Sequence, residues 1–495
     1  MQDLLNTPIY KALKCYIEEA AIPFHMPGHK MGKGLPKDWS SLMSQMDVTE
    51  VPGLDNLHFP AGAIKEAQDL AALAFGAYKT YFLVNGSSVG IHASIMSVCG
   101  RGDKIIVARD CHRSVIGGVI LAGAYPVYVP VEVNEIYGIP TFLDTDVLAK
   151  TLKENPDARA VLITRPNYYG VCSDIERIAQ VTHSHGKVLI VDEAHGAHFK
   201  FHNCLPITSL SVGADICIQS AHKTLPALTQ SAYLHLKSSL VDIDKLELNL
   251  RLLQTTSPSY LIMSSLDLAR AIMERSGKQL LGNLLKNIDW FSYHISKLSG
   301  IKILEGKDLT KDLTKDLTKE FRKDIVLDKT RIVVNLRELG KTGYWAQEKL
   351  RKKFHIQVEM ADLFNIVCIA SVADEKREFE ELLKALSQLI EEQPDSSRKI
   401  IIREKLKSNV LSMPEQGIEP YKVLSNKSKH VSLENSVGKI SKDFIVPYPP
   451  GIPLICPGEI INQEVIEYIH RVIDVGGIVN GITNEDGLKI QIIIY

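Results

Sequence analysis

No two of the eight cysteines form a C-x-x-C pair. Cys15, Cys99, Cys111, Cys172, Cys204, Cys217, Cys368 and Cys456 are scattered along 495 residues. That pattern predicts reduced, mostly buried thiols and a cytoplasmic setting, not a disulfide framework. No run of about 18 apolar residues occurs, which argues against a transmembrane helix. The opening stretch MQDLLNTPIYKALKCYIEEA is too acidic and too interrupted for a secretory leader. Basic residues show no excess either: 57 Lys and Arg face 58 Asp and Glu, a net charge of −1. Nucleic acid as the main partner is therefore disfavoured, because such surfaces are usually clearly basic. HExxH is missing as well. His195, His198 and His202 invite a zinc reading, but their spacing is three and then four, with Phe199 and Phe201 between them.

What is present is ample apolar material, 45% of the residues, in a chain too long for one ordinary domain. Over the first two-thirds, short apolar runs alternate with helical patterns. YFLV (81–84), KIIVA (104–108), PVYVPV (126–131), AVLIT (160–164), KVLIVD (187–192) and ADICIQS (214–220) read as strands. Helical periodicity fills the gaps, as from GSSVG to Met96, Asp144 to Asn155 and Ile175 to His185. Such alternation predicts βαβ units and a mostly parallel sheet covered on both faces. A long helix is expected from Leu261 to Ser299, then a second, smaller α/β unit with strands RIVVNL (331–336) and NIVCIAS (365–371). KDLTKDLTKDLTKE (307–320) repeats one tetrapeptide and reads as a surface insertion or a short exposed helix. QPDSSRK (393–399) reads as a linker, and the Pro/Gly-rich PYPPGIPLICPGE near the C-terminus as an irregular extended path.

Chemistry concentrates at the predicted strand ends, where open parallel sheets bind ligands. NGSSVG (85–90) joins a strand to a helix, and its small residues let backbone N–H groups approach an anion. Ser87 and Ser88 add hydroxyls. DCHRSV (110–115) places His112 at the next strand end, as a ring-stacking group or an ordinary loop histidine. VDEAHG (191–196) places Asp192 there, as a partner for a protonated ring nitrogen or as a helix cap, with His195 one turn on. SAHK (220–223) places Lys223 there beside Ser220 and His222, as an activated amine or a solvated surface lysine. A phosphate cup, a stacking histidine, a ring-nitrogen aspartate and an amine follow one another, each on its own strand. That is the order expected of pyridoxal 5'-phosphate (PLP) enzymes with the aspartate-aminotransferase-like fold, fold type I.

The sequence resembles the Orn/Lys/Arg decarboxylase family in its short form, without an N-terminal wing domain. The resemblance rests on FHMPGHKMGKG (24–34), LDNLHFPAG (54–62), NGSSVG, CHRSV, VDEAHGAHF, SAHKTLPALTQ, TTSPSY (255–260) and PYPPGIPLICPGE. It implies an α/β large domain that binds PLP over residues 1–260, a smaller α/β domain over 261–395 and a C-terminal α+β domain over 396–495. It implies that Lys223 carries the cofactor, Asp192 binds its ring nitrogen and His112 stacks on the ring. Ser87, Ser88, Val89, Ser220 and His222 would hold or neighbour the phosphate, and His195 would contact the cofactor near the substrate. Thr256 would reach the phosphate of a neighbouring subunit, so a homodimer or larger homo-oligomer with a shared site is implied. Glu459 would meet the distal cation of the substrate. The implied reaction is decarboxylation of arginine, lysine or ornithine to the corresponding amine in polyamine metabolism, with arginine favoured because wingless relatives often act on it. Transamination or retro-aldol cleavage could use the same four groups, and a non-catalytic polyamine-binding regulator is a further alternative. Ser87 stands where many relatives have Thr, an exchange of one hydroxyl for another.

Overall fold

A computed structural model describes residues 7–310, 326–391, 412–448, 451–484 and 487–494. Seven strands form its main sheet: β1 (Lys79–Leu83), β2 (Lys104–Ala108), β3 (Tyr125–Val129), β4 (Ala160–Thr164), β5 (Val188–Asp192), β6 (Ile216–Gln219) and β7 (Ala232–Leu236). Their spatial order is β1-β7-β6-β5-β4-β2-β3. All neighbouring pairs are parallel except those of β7, which runs antiparallel to both β6 and β1. Six strands therefore end on the same edge.

The apolar runs follow from burial on both faces. Alternate residues of one strand enter different cores: Leu162 of β4 packs in one cluster, Val161 and Ile163 in another. Ile216 and Ile218 of β6 likewise face away from Cys217. A strand covered on both sides has no position left for a solvated residue.

Two departures from the sequence reading have local causes. PVYVPV is not one strand: β3 stops at Val129, and Val131–Asn134 pairs with Ile139–Leu143 in a separate hairpin. Pro130 lies at the break and has no N–H to continue the ladder. β7, in the segment SAYLHL, is no strand in the sequence reading; only the one-turn helix Ala221–Thr224 separates it from β6, so no crossover pattern marks it. The helices agree more closely. Asp144 and Asp174 cap Thr145–Glu154 and Ile175–Ser184, accepting from Asp146 N and Arg177 N.

A 36-residue helix, Tyr260–Ile295, links the sheet to the smaller unit. There Lys302–Ile303, Arg331–Asn335, Met360–Ala361 and Asn365–Ile369 form an antiparallel sheet. Beyond it, Ser428–Ser432, Ile482–Thr483 and Lys489–Ile493 form a three-stranded sheet. The helix Gln463–Asp474 packs on the same C-terminal core, built from Leu433, Ile445, Ile461, Val465, Ile469 and Ile490 among others. The first tetrapeptide of the KDLT repeat belongs to a short helix, Gly306–Thr310, while its continuation and the QPDSSRK segment lie outside the described residues. No described helix is long and apolar enough to cross a membrane.

The N-terminal signature is fastened from within. Lys30 is only 1% exposed, and its ammonium donates to Pro23 O at 2.8 Å, His25 O at 3.2 Å and Ile369 O at 2.7 Å. Asp374 lies 3.4 Å away and supplies the countercharge. An ammonium this deeply buried is tolerated because its donors are satisfied and its charge is met. FHMPGHK is thereby tied to the end of strand Asn365–Ile369.

Candidate active site

The carboxyl ends of β1, β2, β5 and β6 bring the candidate residues together. Lys223 lies in the short helix Ala221–Thr224 that follows β6. Its Nζ sits 2.9 Å from Nε2 of His195. On the far side of the same ring, Nη2 of Arg331 approaches Nδ1 at 2.9 Å and the His195 carbonyl at 3.5 Å. Tyr168 packs edgewise on this histidine, with ring centroids 4.8 Å apart, and donates from its hydroxyl to Glu359 at 2.6 Å. Burial lowers the Lys223 amine to about 8; the Asp192 charge opposes that shift and Arg331 reinforces it. His195 is driven well below its usual value by burial, and the charge of Lys223 adds to the effect. A lysine held against a buried histidine, with its affinity for a proton lowered, is no solvated surface residue, and the lowered affinity raises the share of nucleophilic free amine.

Asp192 is 3% exposed, and its Oδ1 accepts from Ala194 N at 3.1 Å. Burial raises its carboxyl, and the Lys223 charge pulls the other way. A desolvated carboxylate with so little support calls for a cation. Asp110 stands close by, pushed up to about 7 by burial and then by the Asp192 charge.

His112 is the N-cap of helix Arg113–Ala122. Its Nδ1 accepts from Ser114 N at 3.2 Å, so a neutral ring carries its proton on Nε2. Burial and the charge of Lys223 hold it down at about 3. A neutral imidazole can lie against a cationic ring without repulsion. Gly451, at φ +87°, passes over it; a Cβ there would be 3.5 Å from the ring edge. The C-terminal region thus reaches the His112 edge of the site.

Ser87, Ser88 and Val89 occupy the first turn of helix Gly86–Val98, whose N-cap residue, Asn85, makes no capping bond. Asn85 Oδ1 accepts instead from Thr255 N at 3.1 Å. That leaves first-turn N–H groups and two hydroxyls at the positive end of a helix dipole. Ser220 adds a buried Oγ with no partner among the described residues. His222 donates from Nδ1 to Ser231 O at 3.0 Å, which leaves Nε2 as an acceptor, and burial lowers it to about 4. Thr256 is exposed in the loop next to Asn85. These groups fit PLP: an uncapped helix start and an unpartnered Ser220 hydroxyl where a phosphate would lie, a desolvated carboxyl where a pyridinium would lie, and an amine with a lowered affinity for a proton.

Glu459 is placed differently from its expected role. It is fully buried, and Oε2 accepts from Arg109 Nη2 at 3.1 Å and from Cys456 N at 2.6 Å. Arg109 also donates to Pro453 O at 2.9 Å and Leu454 O at 3.1 Å. The cation that Glu459 meets is therefore internal. The pair is a clamp that fastens the C-terminal region to the end of β2, not an open subsite. Cys111, beside His112, is fully buried and its thiol is pushed up by burial, the behaviour of a packing residue. The three histidines of HGAHFKFH do not converge. His195 serves Lys223 and Arg331, His198 hydrogen-bonds Asp328 at 3.3 Å, and His202 Nδ1 accepts from Cys204 N at 3.2 Å.

Sequence reasoning missed Arg331, Tyr168 and Glu359. The one available signal was a charge at the head of the apolar strand RIVVNL. The part played by the N-terminal signature was also hidden. Gly28 N donates to His222 O at 2.7 Å, and a Cβ at Gly28 would stand 2.7 Å from the Leu225 carbonyl oxygen. Both atoms are backbone, so neither can swing aside. Gly28→Ala is expected to displace the turn that carries Lys223 and lower turnover by about 10²-fold, the scale of a 1 Å misplacement. Parental turnover in this variant would show that the contact does not position the amine.

Comparison with known proteins agrees with this geometry. The family model for the Orn/Lys/Arg decarboxylase major domain matches residues 7–378, and that for the Orn/Lys/Arg decarboxylase C-terminal domain matches residues 404–489. An arginine decarboxylase of Bacillus subtilis is 34% identical over 480 residues, covering 96% of this chain and 95% of that protein. One from Bacillus anthracis is 36% identical over 484 residues, with 96% and 95% covered. Among solved structures, lysine decarboxylase A from Pseudomonas aeruginosa superimposes with a TM-score of 0.78 at 21% identity, over 98% of this chain and 82% of that one. The fold is that of fold type I PLP enzymes, with a large parallel-rich sheet and a C-terminal domain. The family and its fold imply pyridoxal phosphate as cofactor. With family models matching on both sides of residue 400 and relatives aligned almost end to end, the chain belongs to the Orn/Lys/Arg decarboxylase family.

Proposed function

We propose that this chain removes CO2 from a basic amino acid, arginine in preference to lysine or ornithine, with PLP carried on Lys223. The observation that carries the proposal is the junction of a half-buried lysine amine, a desolvated Asp192 carboxyl and an uncapped helix start on one sheet edge. PLP supplies an electron sink for the carbanion left when CO2 departs. The chain does the rest. Asp192 keeps the ring nitrogen cationic, and His112 presents a neutral face. The first-turn N–H groups at Ser87, Ser88 and Val89 and the Ser220 hydroxyl receive the phosphate, with His222 beside them. Lys223 Nζ is placed to return a proton to the substrate carbon; the sequence reading's second donor, His222, has its one proton committed to Ser231 O and only an acceptor at Nε2.

We further propose the division into residues 1–260, 261–395 and 396–495, and a homodimer whose partner supplies Thr256 to the phosphate. The exposure of Thr256 beside Asn85 supports the dimer. A cytoplasmic role in polyamine synthesis fits the relatives named arginine decarboxylase.

Arginine, lysine and ornithine offered together with PLP test the reading, with products identified by mass. Agmatine as the dominant product is the expected result. Cadaverine or putrescine would overturn the choice of arginine alone. Keto acids or aldehydes without any amine would overturn decarboxylation.

A further inference from the structure

Arg331 is the least expected member of this cluster. It is 1% exposed, its Nε and Nη1 have no partner among the described residues, and Nη2 is directed at a histidine. A guanidinium can only donate. The 2.9 Å contact therefore makes Nδ1 of His195 an acceptor. The neutral ring must then carry its proton on Nε2, the atom 2.9 Å from Lys223 Nζ. An N–H directed at that nitrogen finds a lone pair on an amine and none on an ammonium.

From this geometry we infer that Arg331 is a positioning residue: by fixing His195 in the Nε2–H tautomer, it meets Lys223 with a donor and biases that lysine towards the free amine. The inference rests on the assignment of Lys223 as the cofactor lysine. The other groups facing Lys223 and His195 are Asp192, Glu359, His112, His222 and Tyr168, whose ring packs on that of His195. Asp192 and Glu359 favour the ammonium, and Arg331 opposes them. Losing Arg331 acts twice in one direction. It removes a cation, and it frees His195 to turn an acceptor nitrogen towards Lys223.

The test uses the full-length chain with bound PLP removed. Acetic anhydride labels the Lys223 amine across a pH series, and mass spectrometry of its peptide gives the midpoint. The parent should titrate near 8. Arg331→Gln should move the midpoint up by at least about one pH unit, since a charge and a hydrogen bond change together. Arg331→Lys, which keeps a cationic donor, should restore it. An unchanged midpoint in a folded Arg331→Gln chain would overturn the inference. Should that variant not fold, 15N spectra of histidine-labelled parent protein decide, because a proton on Nδ1 of His195 is incompatible with the proposal. Borohydride reduction after PLP is added back tests the underlying assignment separately. A pyridoxyl group on another lysine sinks the cofactor reading, whereas the 15N result still reports on Arg331 and His195.

Discussion

Replacing Lys223 by alanine is expected to abolish covalent retention of PLP and cut turnover by at least about 10³-fold, in line with the loss of other catalytic nucleophiles. The protein-bound visible absorbance and the borohydride-fixed adduct should vanish together. Stability should change little, and its direction is instructive. The amine is half-buried, and desolvation brings its affinity for a proton down only to about 8, so it still carries a charge near neutrality. Removing it leaves Asp192 without the one charge that lowers its carboxyl, so Asp192 should bind a proton more readily. Lys223→Arg separates the two functions. It retains a positive charge beside Asp192 yet offers no nucleophilic amine, because guanidinium stays protonated. It should be as inactive as the alanine variant. Parental activity in either would show that another group carries the cofactor.

How far such a site can be read from sequence depends on the separation of its parts. Asp192, His112 and Lys223 were legible because each ends an apolar run, and strand ends are marked by a local change of pattern. The large sheet was legible for the same reason, since burial on both faces leaves a continuous apolar signature. β7 was not, because an antiparallel strand inserted between β1 and β6 needs no crossover helix to announce it. Arg331 touches His195 across 136 residues of chain, and no periodicity reports such a contact. Glu459 shows a different limit. Its place in a familiar motif suggested a role, but charge assignment needs the partner, and Arg109 lies 350 positions away. Gly28 was visible as a motif residue, while its reason, a carbonyl in the path of any Cβ, exists only once the N-terminal segment has folded against the Lys223 turn.

Asp192→Asn should separate holding the cofactor from using it. The amide is nearly isosteric, and its oxygen can still accept from Ala194 N, a 3.1 Å contact in the parent. The phosphate donors and Lys223 are untouched, so PLP should remain bound and reducible onto Lys223. What disappears is the carboxylate proposed to keep the ring nitrogen protonated, and with it the pull that this charge would exert on the carbanion electrons. Losing one such electrostatic group in a dry site typically costs about 10²–10³-fold, and turnover should fall by at least that much. Because the loss falls on the transition state, kcat should drop while KM moves little. The neighbourhood supplies an independent check. Asp110 is held near 7 by burial and then by the Asp192 charge, so neutralising residue 192 should lower the Asp110 titration in the cofactor-free protein. Unchanged kcat with a lowered Asp110 titration would mean that Asp192 is buried there for its charge alone, and that the ring nitrogen finds its partner elsewhere.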